Sequence, residues 1–512
     1  MPTPSPADPQ DTELDVAIIG AGLSGIDAAW HLQHRCPDRR YAIFEARDAI
    51  GGTWDLFRYP GVRSDSDMHT LGFPFRPWRG DKVIADGGDI RDYIADTARA
   101  FGIDRRIRFR HRILSADWSS ETARWTLTCD VDGDVSTITC RFLFMGCGYY
   151  DYARGHAPDF AGQADFAGPI VHPQHWPQDL NVAGKRVAVI GSGATAVTLV
   201  PALAAQGAQV TMVQRSPSHI VSQPSQDRVA RLLYRLLPER LAGRIARWKS
   251  AALGLVAFQF ARRFPRRMQA LILRGVRAEL PGMTDVNRHF TPRYDPWDQR
   301  LCLVPDADLF AALRDGTATI ATDTIRRFTP GGIELGSGAR VDADIIVTAT
   351  GLKLHLLGGI RLRIDGRPFV PADHLIYRGM MASGVPNLVL ALGYTNASWT
   401  LKIDLVSRRM CRMLNHMRRH GHDICLPAPP GPEVERRPLL DFSSGYVVRA
   451  ASVAPAQGSR APWRLRQNYF LDYATLRFGT LADGVLRFAR AGKGLERFPT
   501  RLNHRHRPAG DR

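Results

Sequence analysis

Two glycine-rich turns are the first residues here with the types and spacing to do chemistry: Gly20-Ala-Gly22-Leu-Ser-Gly25 and Gly191-Ser-Gly193-Ala194-Thr195-Ala196. Such a turn, set between a strand and a helix, brings backbone N–H groups and a helix N-terminus against a pyrophosphate. The first turn is followed by a helix-like stretch to about Arg35 and the strand-like run Tyr41-Ala-Ile-Phe-Glu45. A carboxylate at that strand end accepts hydrogen bonds from a ribose 2′-OH and repels a 2′-phosphate, which suits FAD or NAD. The second unit ends in Arg215-Ser216. A guanidinium and a hydroxyl there suit a 2′-phosphate and so NADPH, although a surface arginine at a strand end would look the same. Two such sites imply hydride transfer from NADPH to a flavin.

Three further segments bear on what the flavin then does. The loop Gly51-Gly52-Thr-Trp54-Asp-Leu-Phe-Arg-Tyr-Pro-Gly61-Val-Arg-Ser-Asp65 has glycines that permit close backbone approach. Trp54 could cover an isoalloxazine face and Asp65 could orient a cation beside it; a purely structural Gly/Pro loop is the plainer reading. In Asp295-Pro-Trp-Asp298-Gln299-Arg300-Leu-Cys-Leu-Val, Arg300 is our candidate for catalysis. An oxygenase that attacks a carbonyl must stabilise a peroxide anion, and a fixed guanidinium stays charged and offers several donors. The alternative is a structural pair of Arg300 with Asp298 or Asp295. Between the two glycine units runs Phe166-Ala-Gly168-Pro-Ile-Val-His172-Pro-Gln-His-Trp176-Pro. We read it as a linker that His172 orders, rather than a site where His172 handles a substrate proton. Thr350-Gly351 marks the point where the chain can cross back.

The elements that must position these groups form a strand–helix–strand signature that occurs twice. The expected fold is α/β: two dinucleotide-binding, Rossmann-like domains, with a helical insertion in the NADP domain. The expected boundaries are a disordered tail at 1–12, FAD-binding segments at 13–155 and 385–495, NADP-binding segments at 156–220 and 291–384, a basic helical insertion at 221–290, and a basic tail at 496–512. Trp125–Val131 and Val135–Met145 alternate as an antiparallel pair would.

The 512 residues suffice for two or three large cores. No apolar run reaches the ~20 residues of a spanning helix, and the Pro-rich start is not a secretory signal. Seven cysteines without a CxxC fit unpaired thiols in a reducing cytosol, and argue against a flavin disulfide reductase. No metal-ligand spacing occurs. The net charge of +18 favours acidic partners. Nucleic acid is discounted, because the charge is spread widely and no recognition motif accompanies it. The dense part, from Arg228 to Arg277, alternates arginine with Leu, Trp and Phe. It reads either as an amphipathic surface for anionic membrane or as a solvated insertion capping a substrate tunnel.

The run from Phe166 to Trp176, with both glycine turns and the Gly51–Asp65 loop, resembles type I Baeyer–Villiger monooxygenases over residues 14 to about 475. Pro296-Trp-Asp-Gln-Arg-Leu-Cys-Leu-Val-Pro and Gly393-Tyr-Thr-Asn-Ala-Ser-Trp-Thr-Leu-Lys402 look like the ethionamide-activating subgroup. The resemblance implies the two-domain fold of the flavin monooxygenase type, FAD, NADPH and O2, and a C4a-peroxyflavin that converts ketones to esters or lactones and oxygenates sulfides or thioamides. It implies that Arg300 is the active-site arginine, Asp65 the carboxylate orienting it, and Arg215 the 2′-phosphate contact. Gln299 departs from the pattern, since many relatives carry lysine there as a second 2′-phosphate contact; that leaves some use of NADH open. Flavin N- or S-oxygenases without ketone activity, and a non-oxygenating NADPH oxidase, are the rival readings.

Overall fold

The computed structural model describes residues 13–440, 449 and 454–492. The tails expected at 1–12 and 496–512 lie outside the described residues.

Strand Glu13–Ile19 runs parallel between Tyr41–Phe44 and Asp134–Met145, with Val16 level with Tyr41 on one side and Phe142 on the other. Val16, Ala17 and Ile18 are fully buried. Cover on both sheet faces explains why residues 16–19 read as an unbroken apolar run. Helix Leu23–Arg35 lies over it and packs against the long helix Trp399–His420. The sheet continues outward through the antiparallel strands Arg124–Val131 and His111–Ser119. Trp118 and Trp125, both buried, meet there with ring centroids 5.5 Å apart.

A second, five-stranded parallel sheet has the order Ala318–Thr322, Gln209–Gln214, Arg186–Ile190, Ile345–Thr348, Ile170–Val171. Helix Ala194–Ala205 follows its central strand. The strand–helix–strand unit therefore does occur twice.

Two segments differ from expectation. Strand Arg361–Ile364 already pairs with His111–Ser119 of the first sheet, so the chain has returned there well before residue 385. Its signal was short: Arg-Leu-Arg-Ile, then Asp365-Gly366 turning back to Arg367-Pro368. Residues 221–223, expected at the start of the helical insertion, instead belong to strand Ile220–Gln223, which pairs with Cys302–Pro305. The insertion becomes helical only at Arg228, continuing through Arg228–Leu236, Glu239–Arg263 and Pro265–Glu279. The β-branched Ile220-Val221 was masked by the arginine–leucine helical pattern that follows it.

Candidate active site

The first glycine turn is built by close approach. A Cβ on Gly25 would sit 1.9 Å from the Gly20 carbonyl oxygen. Gly20 itself has φ +97°, and a Cβ there would meet the Gly146 carbonyl oxygen at 2.7 Å. Glu45 is buried, and its carboxylate accepts hydrogen bonds from the Ala21 N–H at 2.7 Å and the Arg47 N–H at 3.0 Å. Burial raises its pKa, and those two backbone donors oppose the rise.

A cavity of about 770 Å³ opens from this turn. Gly20, Gly22, Glu45, Gly52, Trp54, Asp65 and Arg300 all line it. Arg300 Nε lies 3.1 Å from Asp65 Oδ2, and both side chains are about one-third exposed. Asp298, one of the two acids nearest Arg300 in sequence, accepts from Arg262 Nη1 at 2.6 Å. Ala194 and Thr195, from the second glycine turn, also face this cavity. Tyr59 faces Thr195, and burial pushes its phenol up to about 12. Gly61 (φ +74°) lies on the second unit's helix, where a Cβ would be 2.7 Å from Ala202 Cβ. Arg63 pairs with Asp308. The 51–65 loop is thus pinned between both units, and Asp65 is pinned with it. Trp399 stacks on Tyr149 at 4.8 Å and donates to Ser24 Oγ at 3.1 Å, closing another wall.

The remaining candidates lie apart from this cavity. Gly191 has φ +140° and sits against Ala349, where a Cβ would be 2.4 Å from the carbonyl oxygen. Gly193 precedes the helix, with space around its Cα. Arg215 and Ser216 are exposed just past strand Gln209–Gln214, and the Ser216 carbonyl accepts from Ser192 Oγ at 2.8 Å.

Residues 149–156 and 350–355 run alongside each other where the chain passes between the two sheets. The Asp151 N–H donates to the Lys353 carbonyl at 2.8 Å, the His355 N–H to that of Tyr149 at 2.9 Å, and the His156 N–H to that of Gly351 at 3.0 Å. Thr350 Oγ1 donates to the His156 carbonyl at 2.5 Å. The Phe166–Trp176 run clamps this pair of crossings. His172 Nδ1 accepts from the Gln174 N–H at 3.2 Å, so Nε2 carries the proton and donates to the Gly351 carbonyl at 3.3 Å. Gln174 donates to the Asp151 carbonyl at 2.7 Å. Burial lowers the pKa of His172, in keeping with a neutral ring. Phe166 packs against Phe328, Gly168 sits where a Cβ would be 2.2 Å from the Asp344 carbonyl oxygen, and Trp176 rests on the core of the second sheet.

Among the described residues, one group has metal-ligand proximity: Asp27, His31 and Asp404. Its hydrogen bonds answer for it otherwise. Arg35 Nε donates to His31 Nδ1 at 3.0 Å, so the His31 proton sits on Nε2, which donates to Asp404 at 2.9 Å. No ring lone pair is left for a metal.

Sequence reasoning missed the contributions of Tyr59 and Arg63, and it read Gly61 as a point of close backbone approach without its partner. All three lie inside a loop already singled out, and their partners Thr195, Asp308 and Ala202 come from the other unit.

A family description of NAD(P)-binding Rossmann-like domains matches residues 18–80, and one of L-lysine 6-monooxygenase/L-ornithine 5-monooxygenase matches residues 89–226. The FAD-containing monooxygenase EthA of Mycobacterium tuberculosis is 55% identical over 478 residues, covering 93% of this chain and 98% of that protein. The chain belongs to the EthA family of FAD-containing monooxygenases. The EthA-family fold recurs in an oxidized steroid monooxygenase bound to NADP, with TM-score 0.70, 23% identity, 94% of this chain and 100% of that one. It recurs again in an ε-caprolactone-bound cyclohexanone monooxygenase, with TM-score 0.69, 20% identity, 93% of this chain and 99% of that one.

Proposed function

We propose that the protein is an NADPH- and FAD-dependent Baeyer–Villiger monooxygenase. It inserts one oxygen atom of O2 into small hydrophobic ketones to give esters or lactones, and it also oxygenates sulfides or thioamides. The observation that carries this is the Arg300–Asp65 pair on the wall of the cavity that the first glycine turn opens. A fixed cation beside a flavin site stabilises the peroxide anion that attack on a carbonyl requires and simple peroxide release does not.

The residues fit FAD. The turn leaves no room for a Cβ on Gly20 or Gly25, a buried carboxylate closes the strand end, and the cavity continues from there to Arg300. When bound, the flavin supplies activation of O2 with electrons from NADPH. Arg300 stays cationic at any working pH and stabilises negative charge on the reacting oxygen. Asp65 holds the guanidinium by its Nε edge and fixes its direction. Trp54, Tyr149 and Trp399 wall the cavity and exclude water, which protects a reactive oxygen species from decay. Arg215 and Ser216 receive the 2′-phosphate of NADPH, with Gln299 a weaker aid than lysine would be. His172 acts at the crossings, ordering the joint about which the two units turn. The proposal extends to peripheral association with an anionic membrane through the helices of 228–279.

One finding favours a second reading, an N-oxygenase: the lysine/ornithine monooxygenase match at 89–226. It spans neither the first glycine turn nor Arg300, and therefore leaves the Arg300–Asp65 pair unexplained. Ketone-dependent NADPH oxidation, matched mole for mole by ester, tests the main reading; amine- or sulfide-dependent turnover with no ester would replace it.

A further inference from the structure

Thirteen large apolar side chains are exposed among the described residues, and nine of them fall between Val229 and Leu271. Leu236 is 70% exposed and Val256 65%. The same stretch, 228–277, holds twelve arginines and one lysine against a single acid, Glu239, which Arg79 already pairs.

The exposed groups form stripes. Val229, Leu232 and Leu236 recur at spacings of three and four on helix Arg228–Leu236. On helix Glu239–Arg263, Leu241, Ile245, Leu253 and Val256 fall within an arc of about 120° at 3.6 residues per turn. Exposed arginines border both stripes, among them Arg228 and Arg235 on the first helix and Arg244 and Arg263 on the second. The opposite side is anchored. Arg247 is buried there and donates to the carbonyls of His69, Thr70 and Gly72 at 3.1, 3.1 and 2.7 Å, while Trp248, at the edge of the stripe, packs on Tyr473. The outer stripes are therefore held outward by a rigid attachment.

The structure assigns this face to the headgroup region of an anionic phospholipid bilayer. Leucine and valine enter the acyl boundary while arginines reach the lipid phosphates. Charge decides against the other occupants. A second copy would set one arginine-rich face against another, and the chain's own terminal segment 493–512 is itself basic. Nucleic acid would leave the leucines without a role. Among the described residues no helix is long and apolar enough to cross a membrane, so the contact is peripheral. The surface abuts the site: Arg262 holds Asp298, and Phe258 meets the Trp297 ring at 5.5 Å, on the loop that carries Arg300. This inference rests on the proposed membrane association and names its surface and ligand.

The test is co-sedimentation of holoenzyme with vesicles of phosphatidylcholine alone and of phosphatidylcholine mixed with phosphatidylglycerol, with ester formation on a soluble ketone followed in parallel. Wild type should pellet with the phosphatidylglycerol vesicles and not with phosphatidylcholine alone. Leu232→Asp/Leu236→Asp and Leu253→Asp/Val256→Asp should each abolish pelleting while keeping FAD content and ketone turnover. Arg228→Gln/Arg235→Gln/Arg244→Gln should weaken binding about hundredfold, at roughly 1 kcal/mol per arginine. Pelleting that ignores phosphatidylglycerol, or survives both apolar variants, overturns the inference. So does a wild-type dimer that those variants turn monomeric without any lipid dependence. Lipid binding with no ester formed would instead sink the proposed function and leave the surface assignment standing.

Discussion

Arg300 Nε meets Asp65 Oδ2 at 3.1 Å, joining the loop before strand Cys302–Pro305 to the loop that follows the first glycine unit. The pair is made across two parts of the chain that the 51–65 loop holds together through Gly61 and Arg63. Its charge and position set the first expectation.

Arg300→Ala should retain FAD and NADPH consumption and lose ester formation about 100- to 1,000-fold, releasing hydrogen peroxide instead. Asp65→Asn should lose less, because it keeps the cation and loosens only its aim. Product and peroxide assays side by side check this; normal ester yield from Arg300→Ala would remove the residue from the chemistry.

In the proposed function the second glycine unit sets coenzyme choice. Arg215→Ala should raise KM for NADPH about ten- to hundredfold, the worth of a charge-assisted contact, with little change for NADH. Gln299→Lys should sharpen the preference for NADPH. Parallel kinetics with both coenzymes decide, and an equal loss with each from Arg215→Ala would place the phosphate elsewhere.

His172 donates to the Gly351 carbonyl and accepts from the Gln174 N–H, so it works as a clamp. His172→Ala should reduce kcat about ten- to hundredfold and move KM with it, with the pH–rate profile unchanged in shape. His172→Gln, which keeps a donor, should recover part of the loss. Disappearance of an acidic limb from the profile would instead assign His172 a proton-transfer role.

Burial lowers the pKa of His31, His69, His172, His219 and His374. Unfolded, each titrates near the ordinary value of about 6.5. Below that pH the unfolded chain binds protons that the folded chain refuses. Their contribution to stability is present above pH ~6.5 and is lost as pH falls toward the lowered folded values. Denaturant midpoints should therefore drop between about pH 7.5 and 5.5, ahead of the carboxylates. A midpoint that holds steady or rises would contradict this.

What could be read from the sequence was what is local. Gly20 and Gly25 constrain each other within one turn, and Glu45 closes the same unit, so spacing alone exposed that unit. The run from Phe166 to Trp176 was legible as a linker, but not the two crossings it clamps, because Asp151–Lys353 and Tyr149–His355 join distant segments. The partner of Arg300 could not be read from residue chemistry: Asp295 and Asp298 are nearer in sequence, and Asp65 is brought to it only in three dimensions. Tyr59 against Thr195, and Gly61 against Ala202, are contacts of one unit with the other and leave no periodic trace.

The most direct test of the account uses holoenzyme, NADPH, isotopically labelled O2 and one aryl ketone that also carries a thioether. Mass spectrometry locates the label. Label in an ester, lost in Arg300→Ala, is the predicted result. Label confined to the sulfoxide, or found only in peroxide and water, would contradict Baeyer–Villiger oxygenation by this site.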